Sequence, residues 1–69
     1  MLKYFLHFED DDEFIVVREF TLPHKPQKGD FITIGTEYHS VQYVVQEVDT
    51  FLDIESAAYS VNVHLEKRK

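Results

Sequence analysis

Apolar side chains recur at every second position near both ends of the chain. Tyr4, Leu6 and Phe8 alternate with Lys3, Phe5 and His7, and Tyr59, Val61, Val63 and Leu65 alternate with Ser60, Asn62, His64 and Glu66. Successive side chains of an extended strand point to opposite faces, so a period of two predicts strands over residues 3–8 and 57–65. The intervening chain yields three more. Residues 14–22 are rich in β-branched and aromatic side chains, with Phe14, Val16 and Phe20 beside Arg18 on one face and Ile15 and Val17 beside Glu19 and Thr21 on the other. Phe31-Ile32-Thr33-Ile34 reads as a short third strand and residues 38–48 as a fourth. In the fourth, Val41, Tyr43 and Val45 share a face, while Val44 and Val48 fall on the opposite one. That change of phase predicts a β-bulge or sharp bend, which a small barrel needs in order to close.

The connections are short and sparsely punctuated. Glu9-Asp10-Asp11-Asp12-Glu13 is five acids in a row. Mutual repulsion and the poor strand propensity of Asp make it a solvated turn, closing a hairpin of the first two strands. In residues 23–29, Pro23 and Pro26 remove backbone donors and fix φ, which predicts a loop. Gly35-Thr36 suits a type II′ hairpin turn. Residues 49–56 carry two readings: the Thr50-x-x-Asp53 spacing of a capping box allows a single helical turn, and an irregular loop fits equally. Residues 66–69 read as a polar, frayed tail. The expected fold is all-β: a single small domain over residues 1–69, a five-stranded antiparallel, partly open barrel of SH3-like type. An OB-like barrel is the alternative, although it calls for a longer chain and a helix between strands three and four.

One segment adds a resemblance. Pro26-Gln27-Lys28-Gly29-Asp30-Phe31-Ile32-Thr33-Ile34, followed by Tyr38, Val41 and Val44-Val45, resembles a hairpin of small uncharacterised bacterial and phage proteins. There a Pro-x-x-Gly-Asp turn leads into an apolar strand, a tight turn, and a strand with Tyr and spaced valines. The match covers about a third of the chain and consists of turn and core residues. It implies an SH3-like barrel and no particular activity.

Composition narrows the function. With 69 residues and no cysteine, disulfides and thiolate metal sites are excluded. The core must come from six Phe, four Tyr and the β-branched residues, which leaves little room for an internal substrate cavity. The first residues lack the pattern of an export signal, and no apolar run is long enough to span a membrane, so a cytoplasmic location is expected. Thirteen acids against seven bases give a net charge of −6, which opposes approach to nucleic acid. Phe5, Tyr38 and Tyr43 have faces on which bases could stack, but Lys25, Lys28 and Lys67-Arg68-Lys69 are too few to line a groove. The four histidines, His7, His24, His39 and His64, show no local ligand spacing and read as solvent-exposed. His7 and His64 could meet only if their strands are neighbours. Ser40, Ser56 and Ser60 lack a nucleophile context, and two glycines cannot build a phosphate loop.

The net charge is almost wholly the acidic run. An EF-hand reading fails, because residues 10–15 run into a strand without the required Gly and Glu. Glu9, Asp10, Asp11, Asp12 and Glu13 carry two readings: a solvated hairpin tip that aids solubility, and a contact site for a basic protein partner, by charge steering. The sequence points to a non-enzymatic, cofactor-free acidic β-barrel acting by protein–protein contact, an accessory or regulatory protein of a bacterium or phage. A weak single-stranded nucleic-acid or metal-binding module is the alternative. The charge-poor first strand is also expected to offer an edge for homodimerisation.

Overall fold

The structure is a computed structural model that describes residues 2–9 and 13–68. The period-two segments become β1 (Leu2–Glu9), β2 (Ile15–Leu22), β3 (Phe31–Gly35), β4 (Ser40–Leu52) and β5 (Tyr59–Lys67). They form one sheet in the order β2-β1-β5-β4-β3, curled into an open half-barrel. β1 pairs with β2, β3 with β4, and β4 with β5, all antiparallel. β1 and β5, however, are parallel, with Phe5 opposite Asn62, Leu6 opposite Val63 and His7 opposite His64. The expected all-antiparallel sheet is therefore mixed. The reason is parity: each connection reverses the chain, so the first and fifth strands run the same way. Making them neighbours makes them parallel.

This order also moves the edges. β1, expected to offer one, lies between β2 and β5, and the edges are β2 and β3.

The core fills the concave face. Tyr4, Leu6 and Phe8 of β1, Tyr43 and Val45 of β4, and Val63 and Leu65 of β5 are buried there. Val16, Phe20 and Leu22 of β2 and Ile32 and Ile34 of β3 pack half-buried along the two lips. The Phe8 and Tyr43 rings meet edge-on, with centroids 5.5 Å apart. The Tyr43 hydroxyl donates to the Glu9 carbonyl at 2.7 Å and so ties the end of β1 to β4 across β5.

The phase change in β4 is a bulge. Val45 pairs with Leu65 and Glu47 with His64, so Gln46 is the extra residue. One inserted residue shifts the alternation, and Val45 and Val48 then both face the core. The loop leading into β3 reinforces this point: Gly29 N–H donates to Val45 O at 2.9 Å, Val45 N–H donates to Asp30 O at 2.8 Å, and Pro26 is buried.

Several boundaries differ from the sequence reading, and β5 begins at Tyr59 rather than Ala57. The β3–β4 turn is residues 36–39, not Gly35-Thr36: Thr36 N–H donates to His39 O at 2.7 Å, and the Thr36 hydroxyl accepts the Tyr38 and His39 amides. Gly35 ends β3 opposite Ser40, where a Cβ would lie 2.2 Å from His39 O. Thr50, Phe51 and Leu52 are strand, because cross-strand pairing with Tyr59–Val61 outcompetes a helical turn. Residues 53–58 make the reversal, with Ala57 at φ +58. Glu66 and Lys67 belong to β5 rather than to a frayed tail, and Arg68 N–H continues the ladder to Gln42 O at 2.9 Å.

Candidate functional site: an apolar, acidic hairpin end

The first and last residues of the acidic run, Glu9 and Glu13, border the join of β1 and β2. Glu9 closes β1 opposite Ile15, and Glu13 is exposed with φ +64. Asp10, Asp11 and Asp12 lie outside the described residues.

The histidines divide. His24 and His39 are exposed in connections. His7 and His64 do become neighbours, and they are half-buried on the convex face rather than solvent-exposed. Their rings stack with centroids 4.5 Å apart, and His7 Nε2 donates to Asn62 Oδ1 at 2.9 Å. Val17 and Glu47 flank the pair on the adjoining strands. Among the described residues, no three His, Asp or Glu side chains converge to hold a metal ion.

The aromatic candidates for base stacking are dispersed. Tyr43 is core, Phe5 is half-buried on the convex face, and Tyr38 stands on the β3–β4 turn. The Arg68 guanidinium lies 4.6 Å from the centre of the Phe31 ring, so that cation covers the protein's own surface.

The most exposed apolar group lies elsewhere. β3 pairs with β4 no further than Val44, and β1 meets β5 only over Asn62–His64. Asp49–Leu52 and Tyr59–Asn62 pair with each other as a two-stranded ribbon. At its end Leu52 and Tyr59 face each other on the concave side and Phe51 lies on the convex side, all exposed. Ile54 caps the reversal with 96% of its surface in solvent. No Lys, Arg or His occurs between Glu47 and Val63, while Glu47, Asp49, Asp53 and Glu55 all do.

Asp53 shapes this end. Its Oδ1 accepts the Glu55 amide at 2.9 Å and the Ser56 amide at 3.3 Å. Those amide donors, Ser56 first and then Glu55, together with the Ser56 side chain, hold its carboxyl below the ordinary value of 3.8. The reversal thus carries a fixed negative charge beside bare hydrocarbon. Period-two reading passed over this group. Its signal is Phe51 next to Leu52: large apolar residues on both faces of one strand end cannot both be buried by a single sheet.

No protein-family model, curated protein or solved structure matches the chain.

Proposed function

We propose that the protein is a non-enzymatic contact module, an SH3-like open barrel that binds another protein through the end of the β4–β5 ribbon. The carrying observation is the exposure of Phe51, Leu52, Ile54 and Tyr59 together, in a segment whose ionisable side chains are all acidic apart from Tyr59. Burying a large apolar side chain is worth about 1.5–3 kcal/mol, so leaving four in water is unfavourable unless a partner covers them. The complementary surface is an apolar groove rimmed by Lys or Arg. The acidic run adds long-range steering toward the same kind of partner. The five-strand count and the β4 bulge support the SH3-like class. The bacterial and phage resemblance of the Pro26–Val45 segment supports an accessory or regulatory protein, and the absence of cysteine fits the cytoplasm.

The test is a Leu52→Ser/Ile54→Ser variant. Both side chains are exposed, so its unfolding midpoint should match that of the parent. A partner captured by the parent chain, purified and titrated calorimetrically, should bind the variant at least about tenfold more weakly, the equivalent of ~1.4 kcal/mol. Equal affinity for both chains would remove the ribbon from the contact.

A further inference from the structure

The other feature that calls for a partner is β2. Among the described residues it pairs with β1 on one side and with no strand on the other. Ile15 and Val17, on its convex side, are 71% and 52% exposed. Edge strands are ordinarily blunted by Lys, Pro or a bulge. β2 carries none of these between Ile15 and Leu22, and its only charges are Arg18 and Glu19. It is an apolar strand with an open row of donors and acceptors.

Its two ends carry opposite charge. Glu13 precedes it, at the close of the acidic run, and His24, Lys25 and Lys28 follow it. A strand built acid–apolar–base is complementary to its own antiparallel copy, because each acidic end then meets a basic one. We propose that β2 pairs antiparallel with β2 of a second copy, joining two half-barrels into one continuous ten-stranded sheet. The convex and concave sides must each continue across the junction. Opposed residues therefore face the same way, and the two-fold axis passes through a residue rather than between two. An axis at Arg18 or Glu19 sets like charges face to face, and an axis at Val16 sets Glu13 against Glu19 twice; such pairs are destabilising. An axis at Phe20 draws Pro23, which has no N–H, into the ladder. An axis at Val17 avoids all of these. Val17 then faces Val17, Ile15 faces Glu19, and Glu13 faces Thr21, beside the His24-Lys25 segment of the other copy.

This assigns Glu13 a basic partner, the 24–28 segment of a second copy, and it does not depend on the ribbon reading. Sedimentation equilibrium from micromolar to millimolar protein tests it. The parent chain should pass from monomer to dimer across that range. Val17→Lys places a like-charge pair on the axis and should weaken dimerisation by about tenfold or more. Glu13→Lys and Lys25→Glu alter exposed side chains, and each should weaken self-association alone. Mixing the two variants should restore it, since the heterodimer has opposite charges at both ends. The Leu52→Ser/Ile54→Ser variant should dimerise like the parent. A parent chain that stays monomeric at millimolar concentration, a dimer indifferent to Val17→Lys, or variants that fail to rescue each other on mixing would overturn the pairing. Loss of the dimer in the Leu52→Ser/Ile54→Ser variant would also overturn it, by moving self-contact to the ribbon.

Discussion

Tyr43 and Tyr4 are both core tyrosines, 2% and 1% exposed, and they use their hydroxyls differently. Tyr43 donates to the Glu9 carbonyl. The Tyr4 hydroxyl is buried with no partner among the described residues. A hydrogen bond contributes about 1 kcal/mol net, and an unsatisfied buried polar group costs about 1–3 kcal/mol. The same substitution should therefore have opposite signs at the two sites. Tyr43→Phe should lower stability by about 1 kcal/mol in urea unfolding, while Tyr4→Phe should leave it equal or raise it by about 1 kcal/mol. Equal losses in the two variants would show that the Tyr4 hydroxyl has an acceptor after all. At this scale much was legible from sequence. Among the described residues, every buried side chain of the strands sits on a face that the alternation singles out, because burial in a strand follows a local period, while Pro26 is buried from a loop that has no such period. Which tyrosine finds an acceptor was not legible. That depends on Glu9 and Tyr43 meeting across β5, a tertiary coincidence with no local pattern.

The strands themselves were legible for the same reason, and so was the bulge, since Val45 and Val48 cannot share a face without an extra residue between them. Deleting Gln46 tests this. Removal makes Val45, Glu47 and Val48 consecutive, so Val45 and Val48 keep the core face and Glu47 stays opposite His64 in an unbroken ladder. Only the local bend and twist of the bulge are lost. The deletion variant should keep cooperative unfolding and its near-ultraviolet circular dichroism, and loss of either would contradict the phase argument. The 53–58 reversal was less legible. Thr50-x-x-Asp53 satisfies a helix cap and a strand end alike, and only pairing with β5 decides between them. Asp53 does hold backbone amides, as a cap residue would, but it holds those of Glu55 and Ser56 in a hairpin reversal. Because its folded pKa lies below 3.8, the carboxylate favours the folded turn. That contribution is complete above the ordinary carboxylate value and is lost as pH falls through the lowered folded one. The protection of the Glu55 and Ser56 amides, taken relative to an unstructured peptide at the same pH, should thus fall in acid below pH 3.8 before that of the core amides of Val45 and Val63. Asp53→Asn keeps an acceptor oxygen and should abolish that acid step.

For the whole molecule the decisive element is β5. The chain divides into a β1–β2 hairpin and a β3–β4–β5 meander, and the parallel seam of β1 with β5 joins them. The alternation of strand direction was implicit in the sequence, but the choice of neighbours was not. His7 and His64 are 57 positions apart, and nothing in either strand names the other. Long-range parallel pairing is fixed by collapse of the shared core, where Leu6 lies opposite Val63, rather than by any turn. Truncations should therefore grade steeply. A chain ending at Glu66 loses the Lys67–Tyr43 ladder pair, the Arg68 amide bond to Gln42 and the Arg68 guanidinium over Phe31. These lie at the outer end of β5, and their joint loss should cost about 1–2 kcal/mol while the fold persists. A chain ending at Ser56 loses Val63 and Leu65 from the core together with the strand that holds the two halves side by side. Burial lost at a single large core residue already costs about 2–5 kcal/mol, comparable with the whole stability of a domain this small. That chain should show no cooperative thermal transition and no strand-type far-ultraviolet spectrum. A folded Ser56 truncation would mean that β1 pairs directly with β4, and the sheet order given above would then be wrong.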